Sequence, residues 1–492
     1  MSTAEQSGRP VIIAGAGPTG LTLATELRRG GVEVVLLERR AHRGVDGSRA
    51  AGMQPRTIEM LDQRGIVDRF LAVGPRSNLG NFAGIMLDYS GLSSRFPYAI
   101  NILQAETETL LDDLAGELGV TRLWSTEVTV VDQDADGVRV TVEGPTGTET
   151  LWGSYLVGCD GGRSTVRRQT GVGFPGTDAT MTCLIGDVML DDPPQQPLFL
   201  DRRERGMITA IQFRPGWYRV VTTERERAVG PSDPVTLDEL RESTLRVAGT
   251  DFGMHSATWL SHFGDAIRQA DQYQVGRVFL AGDAAHIHLP AGGQGMNMGM
   301  QDAFNLGWKL AAVARGEAPE SLLATYHDER HAIDAETLDV IRAQSVLTES
   351  SARTNELYTI MKRLIGFTDV NDYLAKRLSG LDIRYAIPGD HPLVGRRLPD
   401  LDLRTTIGAT RAYELLNSAR PVLLLLSDPP HVANTAAGWA DRIDIVTAET
   451  AADTPTALLI RPDGYVAWTD GGPTGLSRLH DSLTTWCGPE AH

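Results

Sequence analysis

The chain opens on a short, wholly apolar run, Val11-Ile12-Ile13-Ala14. It breaks into glycines, resumes with helical periodicity from Leu21 to Arg29 and turns apolar again from Val32 to Leu37. Strand, turn, helix and strand within about 30 residues is the unit that begins a parallel α/β sheet. Gly30-Gly31 lies where the helix must stop on a left-handed residue. Further on, the pattern predicts a helix near Leu110 to Leu118, strands at Glu127 to Asp132 and Val138 to Glu143, and a buried strand at Tyr155 to Gly158. From about Met181 to Tyr273 apolar and polar positions alternate, as in Met207 to Phe213 and Trp217 to Thr223, which predicts an antiparallel sheet with one wet face. A buried strand returns at Arg277 to Ala281, followed by a glycine-rich loop and a helix through Leu310, so the first domain reads as discontinuous. Residues 320–375 read as helical, and Pro388-Gly389 to Pro399 as a turn-rich linker. A fresh α/β pattern follows in Val422 to Leu426, Ile443 to Thr447, Thr456 to Ile460 and Tyr465 to Trp468. No internal repeat or low-complexity tract interrupts the chain.

Length and composition narrow the classes. A chain of 492 residues exceeds one ordinary core and predicts about three domains. The apolar share of 41% and charged share of 22% are those of a soluble globular protein. A net charge of −17 argues against nucleic acid or an anionic membrane as partner. Three cysteines, with no C-x-x-C and no Cys/His cluster at zinc spacing, fit a reducing cytoplasm. The polar stretch Met1 to Pro10 runs straight into the glycine motif, which predicts no signal peptide. The greasiest stretch, Val422 to Leu426, is far short of the roughly 20 residues that span a bilayer.

Three motifs carry chemistry. Gly15-Ala16-Gly17-Pro18-Thr19-Gly20 satisfies G-x-G-x-x-G directly between strand and helix, with Glu38 and Arg39 at the end of the next strand. The first glycine permits the tight turn, the second lets backbone N–H groups approach a pyrophosphate, and the third lets helix pack on strand; Glu38 would accept from ribose hydroxyls. The motif by itself does not separate NAD from FAD. A second signal, Asp160-Gly161-Gly162-Arg163-Ser164, is a buried strand breaking into a turn that opens a helix. A third is Gly282-Asp283-Ala284-Ala285-His286, followed by Pro290-Ala291-Gly292-Gly293-Gln294-Gly295-Met296-Asn297. His286 and His288 suggest a metal pair, but no carboxylate or cysteine sits at ligand spacing in the sequence, so they read as structural. His327-Asp328-Glu329-Arg330-His331 lacks the H-E-x-x-H order and reads as a solvated helix face.

In these motifs and their order the chain resembles the flavoprotein aromatic hydroxylases of the p-hydroxybenzoate hydroxylase type, and most closely the polyketide-tailoring angucycline and anthracycline oxygenases and the rifampicin monooxygenases. The resemblance runs over roughly the whole length. It implies an α/β fold with a Rossmann-like, discontinuous FAD-binding domain (1–180 and 275–385). A small insert near 77–100 would face an antiparallel-sheet substrate domain (181–274), and a thioredoxin-like C-terminal domain would span 390–492. It implies FAD held non-covalently, NAD(P)H as a transient co-substrate with NADPH favoured, O₂, and an aromatic or polycyclic substrate hydroxylated through a flavin C4a-hydroperoxide. Antibiotic inactivation of the rifampicin type, Baeyer-Villiger insertion into a ketone and, remotely, a non-catalytic binder remain alternatives; the assembly is left as monomer or homo-oligomer. By the same resemblance Asp283 binds a ribityl hydroxyl and Asp160 shapes a turn near FAD. Arg49 touches the flavin and helps bind the reductant, and Gln104 and Val128 contact FAD. Pro290, Gly293, Gly295, Met296 and Asn297 lie against the isoalloxazine, where a helix start favours the anionic reduced flavin. With no second G-x-G-x-x-G, no separate nicotinamide domain is expected. Cys487, alone near the end, excludes dithiol chemistry in the C-terminal domain. No acid or base is assigned.

Overall fold

The strand Val11–Ala14, buried at every position, lies at the middle of a six-stranded sheet. Val34–Glu38 pairs with it in parallel on one side and Tyr155–Gly158 on the other. Thr121–Trp124 extends the sheet beyond Val34–Glu38, and Val278–Leu280 extends it beyond Tyr155–Gly158, both in parallel. The short antiparallel strand Gln274–Val275 closes that edge. The sheet is thus assembled from segments more than 260 residues apart, as the returning apolar run at Arg277 implied. This computed structural model describes residues 8–43, 49–196, 198–224, 234–427, 430–471 and 478–490. Most of the polar opening stretch therefore lies outside the described residues.

Helix Pro18–Arg29 begins three residues earlier than its apolar pattern, because Pro18 at the first helical position needs no N–H partner and is preset for helical φ. Its buried leucines Leu21, Leu23 and Leu27 contribute about 1.5–3 kcal/mol each by leaving water. Gly31, with φ 77°, makes the left-handed turn, whereas Gly30 stays at φ −73°. Helix Gly295–Ala314 packs across Pro18–Arg29 at close range: a Cβ on Gly307 would stand 2.6 Å from Glu26 Cβ. A larger residue there would force the two helices apart.

The alternating region forms a five-stranded antiparallel sheet in the order Leu198–Arg203, Gly206–Arg214, Trp217–Glu224, Thr182–Leu190, Met254–Gly264. One face packs Leu184, Val188, Ile208 and Val220 against helix Leu237–Ala248, whose start carries a Thr236/Glu239 capping box. The opposite face carries Cys183, Ile185, Val221 and Phe263, together with a buried ion pair between Asp187 and Arg219. Residues 320–375 contain three helices, Ser321–Thr348, Ala352–Ile365 and Thr368–Ser379. The last two pack on the hairpin Leu79–Phe82/Ile85–Asp88, whose tip at Gly84 lies beside Tyr358 and Met207.

After the turn-rich segment comes a mixed six-stranded sheet, ordered Gly408–Arg411, Asp402–Thr405, Asp444–Glu449, Val422–Leu425, Ala457–Ile460, Val466–Thr469. It is joined to the rest by buried charge. Arg461 makes a two-pronged bond to Glu329 and also reaches Asp463, while Lys309 bonds the same Glu329. Arg64, paired with Glu26, donates to the carbonyls of Leu416 and Pro462. Among the described residues no helix is long and apolar enough to cross a membrane.

Candidate functional site

Four chemically marked segments leave the carboxyl ends of four adjacent strands of the first sheet: Gly15–Gly20 after Val11–Ala14, Glu38 on Val34–Glu38, Asp160-Gly161 after Tyr155–Gly158, and Gly282-Asp283 after Val278–Leu280. Parallel sheets bind ligands at this edge. Gly15 has φ 103°, and a Cβ there would meet Cys159 O at 2.3 Å; one on Gly20 would meet Gly15 O at 1.9 Å. Gly17 by contrast faces open space, with nothing within 4 Å of an added Cβ. The helix start at Pro18 has no side-chain cap and no acid in its first turn, so its N–H groups and positive end remain available to an anion. Thr19 turns away from this opening: its hydroxyl fills the space left by Gly282 and Gly299.

Glu38 is buried, its Oε2 accepting Ala16 N–H at 2.8 Å and its Oε1 accepting Arg40 N–H at 2.9 Å. Arg40, a residue sequence reasoning missed, also bonds Glu108 at 3.0 Å, whereas Arg39 is exposed. Asp160 Oδ2 accepts the N–H groups of Thr165 and Val166, which opens the following short helix, and its Oδ1 is buried without a protein partner. Asp283 is exposed and caps no helix. Arg167 bridges the second and third turns by donating to Gly162 O and Ala284 O.

The loop Pro290–Gly295 ends on helix Gly295–Ala314, whose start is likewise without a side-chain cap. The buried Asn297 ties this loop to the segment before helix Pro55–Gln63. Its Oδ1 accepts Gln54 N–H and the Thr57 hydroxyl, and its Nδ2 donates to Gly52 O and Gly293 O. The Asn297 side chain is thereby saturated and only its backbone is left for a ligand; Met296 lies beside it, half-buried. Gln104 Oε1 accepts Ala50 N–H at 3.4 Å, next to the exposed Arg49. Val128 is buried, pairing with Val142 at a bulge.

His286 gains partners that its sequence neighbours do not supply. Carboxylates absent at ligand spacing in the sequence reach it in space: Asp302 at 2.8 Å and Asp334 at 3.5 Å from Nε2, the three able to surround an ion. Arg330 already bonds both carboxylates, Asp302 at 2.7 Å and Asp334 at 2.6 Å, and so stands where a cation would be needed. His288 belongs elsewhere, its Nδ1 against Leu289 O. Burial pushes the His286 imidazole down, but Asp334 and Asp302 outweigh it and raise it to about 9. The expectation for His327 and His331 is corrected. They are half-buried, not a solvated face, with His327 Nδ1 accepting Tyr273 N–H and His331 Nε2 bonding Ala270 O.

Residues 9–340 match the family described as FAD binding domain, and residues 391–490 match that described as aromatic-ring hydroxylase, C-terminal. This chain belongs to the FAD-binding aromatic-ring hydroxylases. It is 46% identical to anhydrotetracycline monooxygenase of Streptomyces rimosus over 98% of this chain and 99% of that protein. It is 42% identical to the rifampicin monooxygenase of Streptomyces venezuelae over 93% and 95% of the two chains. The solved structure of the anhydrotetracycline hydroxylase from Streptomyces rimosus superimposes with a TM-score of 0.93 at 46% identity, covering 98% of this chain and all of that one.

The residues at the sheet edge fit the dinucleotide of this hydroxylase family. The open face at Gly17, the uncapped helix start, the exposed Asp283 carboxylate and the orphaned Asp160 Oδ1 form a cradle of bare backbone and free acceptors, as a pyrophosphate with polyol hydroxyls requires. All three cysteines are free, and burial pushes the Cys487 thiol up to about 12.

Proposed function

We propose that this hydroxylase is a single-component monooxygenase that uses FAD, NAD(P)H and O₂ to hydroxylate an aromatic, polyketide-type small molecule. The observation that carries the cofactor part is the gathering of Gly15–Gly20, Glu38, Asp160 and Gly282-Asp283 on one edge of one parallel sheet. The substrate class is supported by the 46% identity, over nearly the full length, to a monooxygenase named for anhydrotetracycline. FAD, when bound, accepts hydride from NAD(P)H and activates O₂. In this reading the first sheet is a Rossmann-like FAD domain made from 1–180 and 275–385. Residues 181–274 form the substrate domain, with the 77–100 insert facing it, and 390–492 are a thioredoxin-like unit without redox chemistry. The protein works in a reducing cytoplasm with NADPH as the favoured reductant.

The chain's residues have separate tasks. The backbone at Gly15–Gly20 binds the pyrophosphate, Glu38 the adenosine ribose, and Asp283 the ribityl chain. The Pro290–Gly295 loop and the helix start behind it would hold the flavin ring, and the helix dipole would offer about 0.3–1 kcal/mol to an anionic reduced ring, or up to ~2 when partly buried. The face of the middle sheet that carries Val221 and Phe263 excludes water from the substrate ring. The test is incubation of yellow holoenzyme with NADPH, ¹⁸O₂ and a panel of polycyclic phenols, ketones and ansamycins. A hydroxylated phenol carrying one ¹⁸O, formed only with reductant, is the expected product. Oxygen inserted next to a carbonyl, or turnover of the ansamycins alone, would replace the substrate assignment, and a protein unable to take up FAD would remove the reading entirely.

A further inference from the structure

Behind the Gly282-Asp283 turn lies a buried side-chain cluster that is bonded to the turn through its backbone. Gly282 N–H donates to Asp302 Oδ2 at 2.9 Å, and the same oxygen lies 2.8 Å from His286 Nε2. The other oxygen of Asp302 accepts from Arg330 Nε at 2.7 Å. Arg330 Nη2 donates to Asp334 Oδ1 at 2.6 Å, and the Tyr273 hydroxyl donates to Asp334 Oδ2 at 3.1 Å. His286, Asp302, Arg330 and Asp334 are each 1% exposed or less. We propose that His286 is a positioning residue for the FAD site: as a cation it holds Asp302, whose grip on Gly282 N–H fixes the turn presenting Asp283, and loss of its proton loosens FAD.

Charge counting carries the argument. Burial raises the Asp334 carboxyl to about 7 despite Arg330, so above that pH two carboxylates and one guanidinium leave this dry cluster one negative charge in excess, which a protonated His286 cancels; an unbalanced buried charge is costly. The groups facing His286 are Asp283 and His288 on its own segment, Asp302 on helix Gly295–Ala314, and Arg330 and Asp334 on helix Ser321–Thr348. Tyr273 lies beside its ring, with Tyr326 behind, and Arg167 reaches Ala284 O. The two carboxylates raise its affinity for a proton to about pH 9, against burial. His286 therefore supports the fold fully below its ordinary value of 6.5, and that support is lost as pH rises through about 9. A small cavity whose polar lining includes Gln294, Arg330, Glu336 and Arg377 has room for about two waters and touches the cluster at Arg330. Gly282, with φ 61° and packed on Thr19, has little freedom to shift while Asp302 holds its N–H.

The inference rests on FAD occupying the site, and the experiment separates the two. Holoenzyme is ultrafiltered at pH values from about 7 to about 10, and released FAD is read by fluorescence. Wild type should release FAD about tenfold faster across a step near pH 9, one pKa unit of coupling being a factor of ten. H286Q should release it fast throughout, with no step. D334N removes one of the two carboxylates that hold the His286 proton, so its step should move to lower pH; this arm does not depend on H286Q folding. A flat wild-type profile, a step retained in H286Q or an unmoved step in D334N would overturn the role of His286. Failure of the protein to hold any FAD at pH 7 would strike the cofactor reading itself.

Discussion

Arg219 reaches from the middle sheet to the backbone of Arg49: its Nη1 donates to the carbonyls of both Arg49 and Ala50, at 3.0 Å each. The rest of the guanidinium is committed, Nε and Nη2 forming a two-pronged bond to Asp187 at 2.8 Å each. One buried arginine therefore couples the sheet of the proposed substrate domain to the segment beside the proposed flavin position. Lysine could satisfy Asp187 or the two carbonyls but not all of them, because it lacks the rigid fork. Arg219→Lys should leave FAD bound and slow its reduction by NADPH about tenfold, as followed by stopped-flow absorbance. Unchanged reduction would mean that the bridge only stabilises the fold.

Asp283 stands exposed at the sheet edge and is assigned the ribityl chain. A hydrogen bond to a charged group is worth about 1.5–3 kcal/mol, so Asp283→Ala should weaken FAD by about 10- to 150-fold. Equilibrium titration of the apoprotein reads this directly. Wild-type affinity in the variant would remove Asp283 from the site.

The turns around this site were legible because each depends on local backbone: glycine where a Cβ would strike Cys159 O or Thr19, and an aspartate at a strand end. The groups that hold the turns were not. Arg219 and Asp187 lie on different strands, and Asp302 meets Arg330 and Asp334 from another helix, so only the fold brings the partners together. One signal was available: Asp302 and Lys309 are the charged residues of the largely buried helix Gly295–Ala314, and both are fully buried in pairs. The alternation of Trp217–Glu224 likewise placed Arg219 on one face without saying that the face was covered.

The C-terminal unit is clamped by Arg461, which lies against the rings of Trp308 and Trp486 and bonds Glu329. Removing one partner of such a buried pair costs about 3–5 kcal/mol, so Arg461→Met should lower the melting temperature clearly. Against the upward push of burial, Arg461 and Lys309 bring the Glu329 carboxyl down to about 2. Its support is therefore present above the ordinary carboxylate value of 4.5 and fades as pH falls toward 2. In Arg461→Met that fading should begin at higher pH, as melting curves between about pH 3 and pH 6 would reveal. An unchanged melting profile would deny Arg461 this clamping role.

Cys487 is buried and its thiol is pushed up to about 12, with no second cysteine in the C-terminal unit. The thiolate needed for exchange does not form at neutral pH. Cys487→Ala should keep the ratio of product formed to NADPH consumed. A loss of electron transfer in a stably folded variant would overturn the non-redox assignment of this unit.

Arg49 is the remaining cation beside the proposed flavin position, exposed and only weakly held, with Nη2 3.5 Å from His262 O. Its backbone, by contrast, is fixed by Arg219 and lies beside Gln104. An anchored main chain with a loosely held guanidinium suits a group that must meet two partners in turn. In the proposed cycle those are the nicotinamide during hydride transfer and the flavin in the closed, water-free state. A bias of ~1.4 kcal/mol from one cation changes the ratio of two such states tenfold. Arg49→Ala should therefore slow reduction by NADPH about tenfold and blunt its acceleration by aromatic substrate, with FAD still bound. Enzyme reduced instead by dithionite bypasses the hydride step, and in the same variant it should react with O₂ and hydroxylate in a single turnover at the wild-type rate. Normal NADPH reduction, or an equal loss in the dithionite experiment, would move Arg49 out of the reductive half of the cycle.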